Sequence, residues 1–176
     1  MADSNWVARR ALSGVGGKLL KGWELASIML WQSGLPYSIM SGLDNSFTGD
    51  YSDRADFLGT EISQARLSPG RPHAQQIREY FNTALFGPNA VGTFGDSGKN
   101  ILRGPGVFNV DFALLKNTKI HEHYTLQFRA GIYDVFNNLN FSQPDSTTTD
   151  PTFGQILSTA VGASPRVMQF ALKLLF

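Results

Sequence analysis

Residues 166–176, RVMQFALKLLF, alternate in character from one position to the next. Met168, Phe170, Leu172, Leu174 and Phe176 share one parity, and Val167, Gln169, Ala171, Lys173 and Leu175 share the other. A period of two is the repeat of a strand, whose successive side chains point to opposite faces, so 166–176 is predicted as a terminal strand. The same alternation runs through GVFNVDFALLKN, with Phe108, Val110, Phe112 and Leu114 against Asn109, Asp111 and Ala113. In YTLQFRAGIYDVF it sets Tyr124, Leu126, Phe128, Ala130 and Ile132 against Thr125, Gln127, Arg129 and Gly131. Trp23 to Ile39 reads as one long strand, with Glu24 and Gln32 on one parity and Trp23, Leu25, Met29 and Trp31 on the other. Asn5 to Ala11 is a weaker first strand, so the pattern predicts an all-β chain of about five antiparallel strands.

The connections alternate in length: the glycine-rich SGVGGKLLKG is short, 40–105 is long, TKIHEH is short and 137–165 is long. Short turns at one end, long loops at the other, and strands with one apolar and one polar face form the pattern of a transmembrane β-barrel. With the carboxy terminus on the periplasmic side, every short turn is periplasmic and every long loop extracellular. Phe108, Val110, Phe112, Leu126, Phe128, Phe170 and Leu172 then face lipid, and Asp111, Gln127, Arg129, Gln169 and Lys173 face the lumen. A hairpin closing around Ile120 sets Asp111 opposite Arg129, Phe112 opposite Phe128 and Leu114 opposite Leu126, with Trp23, Tyr124 and Phe176 as an aromatic girdle at the periplasmic ends. The loop 40–105 has sparse, aperiodic apolar residues, which predicts no packed core of its own beyond a short helix at 74–81 and pinning by Phe86 and Phe94. A two-layer soluble sheet can also offer one apolar face. The alternative is therefore a secreted or soluble β-rich module that binds carbohydrate or protein.

Composition sharpens this reading. Charged residues make up 16% of the 176, against about 25% in ordinary soluble domains. Aromatic residues reach 12%, with 13 Phe, and 18 Gly supply turns. The balance of 15 Lys and Arg against 14 Asp and Glu gives a net charge of +1, too little for a nucleic-acid partner. Cysteine is absent, so no disulfide framework or thiolate metal site forms. The residues MADSNWVARRALSG lack the apolar core of a secretory signal, and no apolar run reaches the length of a spanning helix, the best being Leu25 to Trp31. Residence in a membrane then requires a barrel.

Motifs for chemistry are weak. GVGGK at Gly14 to Lys18 does not satisfy the phosphate-loop spacing and follows no buried strand. Asp44, Asp50, Asp53 and Asp56 offer the oxygen ligands calcium takes, but their spacing matches no EF-hand, so a solvated loop is the expectation. His73, His121 and His123 are read as surface histidines without a third ligand. Neither a Ser-His-Asp arrangement nor a carboxylate pair has supporting spacing, so no enzyme and no cofactor are expected.

Four ordered blocks carry a resemblance: GWELASIMLWQSGLPYSI, YFNTALFGPNAVGTFGDSGKNILRGPGVFNVDFALLKN, LQFRAGIYDVFNNLNF and FGQILSTAVGASPRVMQFALKLLF. Together, from Leu20 to Phe176, they resemble the carboxy-terminal barrel region of TonB-dependent outer-membrane receptors of the Oar-like subgroup. The chain departs from that pattern at Gly131, where the family favours Glu, and at Asp134, where it favours Asn. The resemblance implies a bacterial outer-membrane location, lipid contact and ligand uptake energised by the TonB system through amino-terminal regions beyond this chain. It also implies that the last strand is an assembly signal, with Phe170, Leu172, Leu174 and Phe176 read by the barrel-assembly machinery through strand addition. Family barrels close about 22 strands around a plug, so five strands imply an incomplete barrel and a carboxy-terminal fragment.

Overall fold

The computed structural model describes residues 20–176. The predicted strand 5–11 and the GVGGK turn lie outside the described residues. The alternating segments form β1 (Trp23–Gln32), β6 (Val107–His121), β7 (Tyr124–Tyr133) and β8 (Val167–Leu175). Between β1 and β6 come four two-residue strands: β2 (Pro36–Tyr37), β3 (Asp56–Phe57), β4 (Phe86–Gly87) and β5 (Leu102–Arg103), with the helix α1 (His73–Arg78) between β3 and β4. None of the helices among the described residues is long and apolar enough to cross a membrane.

The chain divides into two compact units. One holds the sheet, in the order β1-β6-β7-β8, with β6, β7 and β8 pairing antiparallel. The predicted register is wrong by four residues. Arg129 pairs with Leu115, Phe112 with Ile132 and Leu114 with Ala130. The strand does not turn at Ile120. It continues with a bulge between Lys119 and His121, and only Glu122 and His123 turn the chain before Tyr124. TKIHEH is therefore mostly strand, because Thr118 and Ile120 are good strand residues and carry no turn chemistry. A shift by an even number keeps every side chain on its face, so the predicted division into two faces survives the error.

The predicted strand from Trp23 to Ile39 also ends early, at Gln32. A side chain on Gly34 would collide with the carbonyl oxygen of Gly104, and the Gly104 N–H donates to Leu35 O at 3.0 Å. The chain passes there into the β2–β5 pair, where Pro36 lies opposite Arg103.

The second unit, residues 31–107 and 139–163, overturns the expectation for loop 40–105. Tyr37, Ile39, Ala55, Ala65, Phe81, Phe86 and Leu102 form a buried core, and Phe57, Tyr80 and Phe153 pack against it. Phe81 is the hub, with ring centroids at 5.7 Å from Phe86, 5.3 Å from Phe153 and 6.1 Å from Tyr37. Phe86 is buried as expected, but Phe94 is 63% exposed, and its carbonyl oxygen accepts from the Arg54 N–H at 3.2 Å. The helix stops at Arg78, since Glu79 is extended and Tyr80 N–H donates to Gly154 O. The segments 40–105 and 137–165 are thus not two separate loops: Met40 N–H donates to Ser146 O and Ile156 N–H to Ile77 O, each at 2.8 Å. Tyr37 and Phe153 reach Phe81 and Phe86 from distant parts of the chain, so no local period announces the cluster.

Candidate functional site in the two-faced sheet

The sheet's chemistry lies in the contrast between its faces. On one, register brings Phe128 beside Leu172, Ala130 beside Phe170, Ile132 beside Met168 and Leu126 beside Leu174. Phe128 and Phe170 stack with centroids 6.4 Å apart, and Phe112 and Leu114 join the same face from β6. On the other, Gln127 lies beside Lys173, Arg129 beside Ala171 and Gly131 beside Gln169.

A polar row runs across this second face. Gln127 Nε2 donates to Asn117 Oδ1 at 2.9 Å, and Asn117 Nδ2 donates to Glu24 Oε1 at 3.1 Å, so with Lys173 the row touches all four strands. Sequence reading named Gln127 and Lys173 but missed Asn117 and the partner of Glu24. The parity of Asn117 with Asn109 and Asp111 was the available signal. Asp111 does not meet Arg129 across the strands as expected. Its Oδ1 accepts from Asn109 Nδ2 at 3.2 Å and from the Asp134 N–H at 3.0 Å. There it holds the end of β7, where Asp134 adopts φ 51°. Arg129 and Asp111 both border a pocket of about 120 Å³ with Gly131 and Tyr133.

One cation breaks the apolar face. Lys116 lies 4.8 Å from the centroid of the Trp23 ring, and its Nζ donates to Lys21 O. The expected girdle separates accordingly: Tyr124 and Phe176 end adjoining strands beside the Thr125–Leu175 pair, whereas Trp23 sits over Lys116, further along the sheet.

Every residue of β1 and β8 is exposed, on both faces. A soluble sandwich buries one face of each sheet under a second layer. This sheet, among the described residues, leaves the apolar side chains of β1 and β8 exposed, the arrangement of a barrel wall rather than of a sandwich layer. In agreement, residues 2–169 match the family model described as outer membrane beta barrel domain. The chain belongs to that family. No curated protein and no solved structure matches it. Among the described residues the barrel domain's sheet is an open row with β1 and β8 at its edges.

The remaining candidates of this barrel protein lie in its loop unit and hairpin. Asp44, Asp50 and Asp53 offer carboxylate oxygens within 4.8 Å of one another, but Asp56 stands apart, accepting from the N–H groups of Ala90 and Asp96. The cluster is supplied with donors by its own loop: Ser46 Oγ donates to Asp53 at 2.6 Å, Ser52 Oγ to Asp50 at 2.7 Å and the Gly49 N–H to Asp44 at 2.9 Å. The Ser46 hydroxyl holds the Asp53 carboxyl below its ordinary pKa, and the Ser52 hydroxyl does the same for Asp50. His73 lies edge-on to Phe141 with centroids 5.6 Å apart, and His121 and His123 stand at the β6–β7 turn.

Proposed function

We propose that this chain forms the carboxy-terminal barrel strands of a bacterial TonB-dependent receptor of the Oar-like type, which takes up a ligand from outside the cell. The observation that carries the reading is the order of the four resembling blocks, to which the sheet adds a physical rationale. In this reading Asp111, Gln127, Arg129, Gln169 and Lys173 face the lumen, and Phe112, Phe128, Phe170 and Leu172 face lipid. The turn at Glu122 and His123 is periplasmic, and the core-forming loop unit is extracellular. Among the described residues the open row leaves main-chain groups of β1 and β8 without a neighbouring strand, which hydrocarbon does not tolerate, so other strands complete the wall. Partners follow from the same reading: outer-membrane lipid along the apolar face, the barrel-assembly machinery on β8, and the TonB system through other parts of the receptor.

The genomic reading frame that encodes this chain tests the proposal directly. Further alternating strands, a plug and a TonB-contacting segment in the same frame are expected. A frame containing the strands but no plug sinks the receptor reading and leaves a barrel of another kind.

A further inference from the structure

The loop unit contains a cavity of about 340 Å³ whose lining charge is one-sided. Arg66, Arg71 and Arg103 line it and no carboxylate does, although the whole chain carries a net charge of only +1. Arg71 is fixed in place: Nε donates to Ser68 O at 3.1 Å, and Nη2 donates to Glu79 O at 2.9 Å and Tyr80 O at 3.3 Å. Its two Nη1 hydrogens have no partner among the described residues, so a fixed pair of donors is left over. Arg103 is anchored by one bond, Nη1 to Gly34 O at 3.1 Å, and the rest of its fork is uncommitted among the described residues. The rest of the wall is mostly aromatic and apolar, with Leu67, Tyr80, Phe81 and Leu102 bordering the cavity beside the polar Ser68 and Gln76. Burial raises the pKa of both Tyr37 and Tyr80, so neither phenol brings a negative charge to the site.

Guanidinium forks match carboxylates in geometry, and a few convergent polar groups on an otherwise apolar wall are the usual composition of a small-molecule site. We propose that this cavity binds a small organic carboxylate with an aromatic body, the carboxylate held by Arg66, Arg71 and Arg103 and the body resting against Tyr80 and Phe81. The site is complete within the loop unit and stands whether or not the protein transports anything.

The test is an NMR titration of the full chain in detergent micelles with phenylacetate, its neutral analogue phenylacetamide, and inorganic phosphate. Expected are saturable amide shifts at residues 66–71, 76–81 and 102–104 with phenylacetate, and binding of phenylacetamide weaker by about tenfold or more, the loss of one charge-assisted hydrogen bond. The double substitution Arg66→Gln/Arg103→Gln, at two exposed positions, should weaken phenylacetate by at least about tenfold with unchanged spectra elsewhere. Should that variant lose its dispersed spectrum, the intact chain decides: added salt must weaken phenylacetate and leave phenylacetamide unchanged. Equal affinity for acid and amide, tighter binding of inorganic phosphate, shifts outside these residues, or no saturation overturns the proposal.

Discussion

Tyr37 is 7% exposed, and its hydroxyl has no hydrogen-bond partner among the described residues. A buried donor left unpaired costs about 1–3 kcal/mol, so Tyr37→Phe should raise the stability of the loop unit by roughly 1 kcal/mol, read as slower hydrogen exchange at its core amides. A loss of protection would mean that the hydroxyl is paired. Asp53 behaves in the opposite sense. Its folded-state pKa lies below the ordinary 3.8, so the hydrogen bonds from Ser46 and Asn89 contribute stability above that pH, and the contribution is lost as pH falls through the folded-state value. Protection factors of the core amides in the loop unit, normalised to intrinsic exchange at each pH, should fall on acidification below about pH 3.8, and Asp53→Asn should flatten that dependence. An unaltered slope in the variant would place the acid sensitivity elsewhere.

Among elements, β8 permits a test of facing at neighbouring positions. Leu172 pairs with Phe128 on the apolar face and Ala171 with Arg129 on the polar one. In the membrane-embedded protein Leu172→Arg should cost about 2–4 kcal/mol, while Ala171→Arg should cost far less, as measured by denaturant unfolding in lipid. Equal costs would contradict the orientation. The loop unit turns on Phe81, 2% exposed and in contact with three aromatic rings. Phe81→Ala should destabilise that unit by about 3–5 kcal/mol, visible as lost chemical-shift dispersion at Tyr37, Phe86 and Phe153. The signals of β7 and β8 should persist, because the sheet forms a separate compact unit.

For the whole molecule, the assembly-signal proposal separates recognition from stability. Phe176 is 92% exposed at the end of an edge strand. One terminal side chain contributes about 1.5–3 kcal/mol when buried, little against a closed barrel, whereas recognition of an unfolded client rests on few contacts. Phe176→Ser in the intact outer-membrane protein should therefore lower the amount inserted while leaving the denaturation midpoint of the inserted fraction nearly unchanged. Normal insertion, or an equal fall in stability, would reduce Phe176 to an ordinary strand end.

Alternation by itself located the four long strands of the sheet and their faces, though not all their ends, because a period of two is a local property that survives even a four-residue error in pairing, as it did for Phe112 and Arg129. It could not determine the partner of Arg129. That depended on whether Thr118 to His121 extended the strand or turned, a choice made by pairing with β7. Nor could it find the core of the loop unit. Tyr37, Phe81, Phe86 and Phe153 have no shared period, and their packing exists only once distant segments meet, with Gly154 O accepting from Tyr80 and Ser146 O from Met40. The arginine cavity was hidden for the same reason: Arg103, on β5, lines it together with Arg66 and Arg71 from a distant part of the chain. What local spacing encodes was legible in the sequence, and what long-range closure encodes was decided by the tertiary structure.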